Sequence, residues 1–172
     1  MVGDRVSIIP CELLFCLLPA RSVFMNECKE IRLPATIDNI SVVMSFVDEE
    51  LVKRNCPESE KLKIDVAVDE IFANIASYAY APEEGEATVK VEFTDEPLQI
   101  IISFIDTGKP YNPLLKEDPD TTLSADERAI GGLGIFIVKQ SMDSVEYSYE
   151  EGCNVLKIKK IIGLDSKGGY DA

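Results

Sequence analysis

Glu70 and Asn74 stand four residues apart in the segment Asp65-Val-Ala-Val-Asp-Glu-Ile-Phe-Ala-Asn74. On a helix that spacing puts both side chains on one stripe, at the rim of the apolar face. A carboxamide oxygen suits Mg²⁺, which prefers hard oxygen ligands and keeps several of its waters. A carboxylate one turn away can accept a hydroxyl proton during phosphoryl transfer. The same pair also suits an ordinary solvated helix face, so alone it decides little. A second candidate is Asp106-Thr-Gly108-Lys-Pro110, directly after an apolar run. A carboxylate at a strand end can accept a hydrogen bond from an exocyclic amine such as adenine N6, and glycine lets a base approach the backbone. Asp-x-Gly is equally common as plain turn chemistry. A third is Gly131-Gly132-Leu133-Gly134 ahead of an apolar segment. Glycines at a helix start expose N–H groups to an anion, and they also make a flexible hinge. No Gly-Lys-Ser/Thr follows, which excludes a P-loop. The preceding segment is a loop and not a strand, which excludes a Rossmann fingerprint.

These residues need elements to hold them. Lys29 to Pro34 reads as a short strand. Thr36 or Asp38 can cap a helix carrying Ile40, Val43, Met44, Val47 and Leu51 at helical spacing, ending near Asn55 because Pro57 disfavours helix at Cys56. A second helix runs from about Glu58 to Tyr80 with the stripe Ile64, Ala67, Val68, Ile71, Ile75 and Tyr78. It holds Glu70 and Asn74. Ala87, Val89, Val91 and Phe93 alternate with polar residues, as in a strand buried on one side. Leu98 to Ile105, after the Asp95-Glu96-Pro97 turn, is apolar enough for a central strand and delivers Asp106 at its end. Thr107 to Ile130 is a long loop of the kind that is usually functional, with a capping-box pattern at Ser124 and Glu127. The glycine run then opens a helix through Met142, and Val145–Tyr149 and Val155–Ile162 form a last hairpin turning at Glu151-Gly152.

The resulting order, β, α, α, β, β, loop, α, β, β, predicts an α+β fold. It is a two-layer α/β sandwich with a mostly antiparallel sheet covered by helices on one face. The expected organisation is a leader over 1–28, one domain over 29–162 and a flexible tail over 163–172. Ile8 to Leu18 is apolar but is interrupted by Pro10 and Glu12, and it is about half as long as a spanning helix.

Composition narrows the chemistry. The 172 residues carry 17 basic and 31 acidic side chains, a formal charge of −14, and such a surface opposes nucleic-acid binding. A single nucleotide is compatible with it, held by backbone N–H groups and a divalent metal. Histidine is absent, which removes His-based general bases, Ser-His-Asp triads and phosphohistidine chemistry. Five cysteines without a C-x-x-C pair read as reduced thiols of a cytoplasmic protein.

The order and spacing of the three candidates resemble the boxes of the GHKL (histidine-kinase-like, Bergerat) ATPases. The resemblance is closest to their anti-sigma-factor serine kinases. It is carried by Asp106-Thr-Gly-Lys-Pro-Tyr-Asn-Pro-Leu114, by Ile130-Gly-Gly-Leu-Gly-Ile-Phe-Ile-Val-Lys-Gln-Ser-Met-Asp143 and by Gly152-Cys-Asn-Val-Leu156, over roughly Lys29 to Ile162. It implies ATP and Mg²⁺ as cofactors, with Asn74 as metal ligand and Glu70 as general base. It further implies Asp106 on the adenine amine, Gly108 beside the base, and Gly131, Gly132 and Gly134 over the phosphates. Arg128 is assigned to the γ-phosphate, from a loop whose other cations are Lys109 and Lys116. The implied partners are an anti-anti-sigma protein of the STAS type as substrate and a sigma factor as target, with a homodimer as the working state and no nucleic acid or membrane. A non-catalytic ATP-binding module that only sequesters a partner needs the same pocket. One departure stands out: where the family often has histidine four residues after the box asparagine, this chain has Tyr78.

Overall fold

The computed structural model describes residues 28–115 and 133–163. The chain forms β1 (Lys29–Pro34), a 3-10 turn (Ile37–Asn39), α1 (Ile40–Lys53) and α2 (Glu58–Asn74), which continues as a π-helical turn (Ile75–Ala79). There follow β2 (Glu86–Asp95), β3 (Leu98–Asp106), a 3-10 turn (Pro113–Leu115), α3 (Leu133–Ser141), β4 (Ser144–Glu150) and β5 (Cys153–Ile161). The strands make one five-stranded sheet in the order β1-β2-β3-β5-β4, and every neighbouring pair is antiparallel. This is the expected two-layer α+β sandwich.

Strand periodicity is realised residue by residue. On β2, Ala87, Val89, Val91 and Phe93 are buried while Thr88, Lys90, Glu92 and Thr94 stay partly open. β3 lies between β2 and β5, and it buries Ile100, Ile102, Phe104 and Asp106. Against these pack Val43, Val47 and Leu51 of α1 and Ile64, Ala67, Val68 and Ile71 of α2. Phe72, absent from the expected stripe, is fully buried and ranks with Phe104 among the largest such side chains.

Helix boundaries differ from the sequence reading in instructive ways. Neither Thr36 nor Asp38 caps α1 through its side chain; the entry is made by the 3-10 turn, and Asn39 Nδ2 donates back to the Pro34 carbonyl at 2.8 Å. At the other end Asn55 sits at φ 52°, Cys56 N–H donates to Leu51 O and Asn55 N–H to Val52 O, both at 3.1 Å. That is a Schellman closure, with asparagine supplying the left-handed residue that glycine usually provides. The α1 helix therefore stops for a backbone reason, at a left-handed residue two positions before Pro57.

Tyr78 is not on the buried stripe of α2; it is 70% exposed. The π-turn beginning at Ile75 needs more residues per revolution than an α-helix, so the α-helical phase that holds through Ile71 is lost by Tyr78. The expected capping box at Ser124 and Glu127, most of the leader and residues 164–172 lie outside the described residues. At the start of the expected tail, Gly163 N–H donates to Leu98 O at 3.1 Å. Among the described residues no helix is long and apolar enough to cross a membrane.

Because Phe72 is a large, fully buried side chain of the core, its truncation leaves a cavity that neighbours cannot readily close. We expect Phe72→Ala to lower unfolding free energy by about 3–5 kcal/mol, read as a shift in the urea midpoint at unchanged slope. A loss under about 1 kcal/mol would mean that this region of the core can relax.

Candidate functional site

A cavity of about 820 Å³ opens between the end of α2, the start of α3 and the ends of β3 and β5. It falls within the range typical of small-molecule sites. Glu70, Asn74, Asp106 and Gly134 all line it, although they come from three different elements. The sequence candidates thus converge on one space. Gly108 is adjacent to the lining and not part of it, whereas Arg128, Gly131 and Gly132 lie outside the described residues, as does Lys116.

At the α2 end, Asn74 is the last α-helical residue before the π-turn. Its Nδ2 donates to the Glu70 carbonyl at 2.7 Å, which orients the amide and leaves Oδ1 for a ligand. The Glu70 carboxylate, partly buried, lies against the start of α3: a methyl group at Gly134 would overlap Glu70 Oε2. Glycine at 134 is therefore what lets α3 approach the α2 carboxylate. No group of three or more Cys, Asp or Glu side chains able to hold a metal occurs among the described residues. A cation here would take one amide oxygen from the chain and complete its shell with waters and phosphate oxygens. That coordination is characteristic of Mg²⁺, and the free Oδ1 fits it.

At the sheet end, Asp106 is 7% exposed and stands opposite Asn154 in the β3–β5 register. Its Oδ1 accepts from Gly108 N–H at 2.9 Å and from Asn154 Nδ2 at 2.8 Å. Both bonds use the same oxygen, so Oδ2 remains for an incoming donor. Asn154, 6% exposed, also gives Nδ2 to Lys109 O at 3.1 Å and receives Tyr111 N–H at 3.1 Å and Tyr147 O–H at 2.7 Å on Oδ1. Burial pushes the Tyr147 phenol above its ordinary value, so it stays a hydroxyl donor at neutral pH. Sequence reasoning did not single out Asn154 or Tyr147. The available signal was an asparagine at the start of an apolar strand two residues after a turn glycine.

The two ends are joined by backbone. Lys109 N–H donates to Ala79 O at 2.9 Å, and a methyl at Gly108 would overlap that same carbonyl. The glycine expected beside a ligand base thus serves at least one other purpose, admitting the π-turn. Tyr80 Oη accepts Thr107 N–H at 2.9 Å, and Lys109 Nζ donates to Ala81 O at 2.7 Å. One of the three Lys109 ammonium donors is thus directed at a carbonyl. Tyr78 stands at the rim, lining the cavity while largely exposed.

A mostly apolar cleft with an amide oxygen at one end and a strand-end carboxylate at the other has the polarity and size to take a nucleotide. Residues 33–160 match the family described as the histidine kinase-like ATPase domain, and the chain belongs to that family. The curated relatives are named serine-protein kinase RsbW. The one from Listeria monocytogenes serovar 1/2a is 34% identical over 107 residues, covering 59% of this chain and 66% of that protein. The one from Bacillus pumilus is 31% identical over 131 residues, covering 72% and 74%. The chain thus spans just under two thirds of the Listeria relative's length. Among solved structures, the RsbU and RsbW domains of Rv1364c from Mycobacterium tuberculosis superpose with a TM-score of 0.56 at 17% identity, over 78% of this chain and 32% of that one. That likeness bears on the fold alone.

The two glycines call for different outcomes. Gly108→Ala drives a methyl into backbone, which cannot swing away, and should cost about 1–3 kcal/mol of stability. Gly134→Ala meets only the mobile end of Glu70, so stability should hold nearly constant while the carboxylate is displaced. Equal unfolding midpoints for the two variants would contradict this packing.

Proposed function

We propose that the protein is a Mg-ATP-dependent serine kinase that phosphorylates an anti-anti-sigma protein of the STAS type and holds a sigma factor inactive. The observation that carries this reading is the oriented Asn74 amide, whose free Oδ1 shares one cavity with the open Oδ2 of Asp106. Relatives named as serine-protein kinases support the reaction type. The partners themselves remain part of the proposal, as does a cytoplasmic location.

The proposed roles divide along the cavity. Asp106 Oδ2 accepts the exocyclic amine of adenine, with the polar wall of Asn154 and Tyr147 behind it. Asn74 Oδ1 would hold Mg²⁺, and the metal, when bound, would supply charge neutralisation on the phosphates. Glu70, one turn before Asn74, accepts the proton of the attacking serine hydroxyl as its oxygen bonds to the γ-phosphorus and ADP departs. Positioning and charge compensation carry most phosphoryl-transfer catalysis, so few protein groups are needed. The start of α3 at Gly134 stands beside that carboxylate and limits where it can point.

A homodimer is part of the same proposal. The groove between β1 and α1, lined by Ile31, Ser41, Val42, Ser45, Phe46 and Glu49, leaves apolar surface in solvent; Val42 is 44% and the neighbouring Ile37 55% exposed. A charge there should oppose self-association. We expect Val42→Glu to shift the protein toward monomer in sedimentation equilibrium, and unchanged association would place the dimer contact elsewhere.

Two substitutions test the catalytic assignment. Asn74→Ala should abolish magnesium-dependent ATP binding in calorimetry. Glu70→Gln should bind ATP as the wild type does and transfer phosphate to the antagonist at least about a hundredfold more slowly. Transfer at the wild-type rate by Glu70→Gln would remove Glu70 from the base role.

A further inference from the structure

Asn154 spends every polar valence it has. Its amide offers two N–H donors and two acceptor lone pairs. Oδ1 takes Tyr111 N–H and Tyr147 O–H, while Nδ2 serves Asp106 Oδ1 and Lys109 O, with Gly108 O at 3.5 Å. The opposite amide orientation would set Nδ2 against the Tyr111 N–H donor and Oδ1 against a carboxylate and two carbonyls. Its surroundings therefore fix which end faces Asp106, and that end is the donor.

We propose that Asn154 is a positioning residue that pins Asp106 as an acceptor and so makes the pocket select 6-amino over 6-oxo purine nucleotides. The inference rests on the nucleotide reading above and adds a determinant of base choice. With Oδ1 of Asp106 saturated by Gly108 N–H and Asn154 Nδ2, the ligand meets Oδ2. An ionised carboxylate only accepts. A 6-amino group donates to it, whereas a 6-oxo group at the same place sets a second acceptor against the carboxylate; its N1–H lies one ring atom away, so pairing would require the base to shift from the position that adenine takes, a mismatch that sites built on hydrogen bonds reject. Asn154 acts through Asp106, since its own polar atoms are already committed. Tyr147 contributes one layer further out, by occupying Oδ1.

The test compares ATP with ITP, which differ at the 6-position of the base through amine against oxo, using the full chain with magnesium and binding calorimetry. Asn154→Asp is nearly isosteric and can still accept from Tyr111 and Tyr147, but it turns an oxygen toward Asp106. Asn154→Leu keeps the volume and removes the amide. Each should weaken ATP by about 10- to 100-fold while ITP binding stays level, so the preference for ATP collapses. Tyr147→Phe, which leaves the buried amide in place, should give a smaller loss confined to ATP, and it serves as the readout if the Asn154 variants unfold early in urea. Parallel losses of ATP and ITP would reduce Asn154 to a packing role and overturn the inference, as would unchanged ATP affinity in the variants. If the wild type binds neither nucleotide, the nucleotide reading itself fails; if it binds ATP and the ratio survives substitution, only the role of Asn154 does.

Discussion

The carbonyl of Ala79 is the point at which the two halves of the site are fastened together. It accepts Lys109 N–H, and it lies so close to Gly108 that no side chain fits between them. On one side of that contact is the π-turn that closes the helix bearing Glu70 and Asn74; on the other is the turn that closes the strand bearing Asp106. A helix and a strand far apart in sequence are thereby held at one separation, and the cavity between them acquires fixed ends. Tyr80 and the Lys109 ammonium repeat the fastening on either side, through Thr107 N–H and Ala81 O. Side chains alone would position the two polar ends less rigidly, because each has rotamers to choose from, whereas backbone packed on backbone has almost none.

That dependence explains which parts of the fold were legible in the sequence. Alternation on β2, the apolar run of β3 and the i, i+3, i+4 stripe of α2 are local patterns; the two strands came through with their burial intact, and the helix stripe did so as far as Ile75. Glu70 and Asn74 were legible as an i, i+4 pair on a helix and Asp106 as a carboxylate at a strand end, and all three line one cavity. Asn154 was not singled out, because its meaning arises from register: only when β5 pairs with β3 does it face Asp106, and an asparagine two residues after a turn glycine is a weak local signal. The π-turn was equally hidden. Ile75 to Ala79 has ordinary helical composition, and the extra residue per turn shows only through its effect on Tyr78, which leaves the stripe for solvent. Where Asn55 stops α1, the sequence pointed to Pro57 for the right boundary but the wrong cause, since a left-handed asparagine is a weaker textual signal than glycine.

A chain of net charge −14 that receives a polyphosphate must find positive potential somewhere. Among the described residues lining the cavity, Glu70 and Asp106 are anions and Lys109 is the sole cation, with its ammonium turned to a carbonyl. Side-chain charge in this part of the site therefore opposes phosphate. Backbone N–H groups at a helix start carry only a fraction of an elementary charge each, too little to offset several phosphate charges against two carboxylates. A divalent ion carries that charge in one place, and Asn74 offers it an oxygen without adding a further negative charge to an acidic site. An amide in place of a carboxylate makes sense on these grounds: a carboxylate would bind the free metal more tightly and would repel the nucleotide that brings it. Under the proposed function, metal and nucleotide would enter as one unit, and the acidity of the surrounding surface would act against nucleotide without metal. The strand-end carboxylate, at the other end of the same cavity, would then contribute selectivity where the ligand is uncharged.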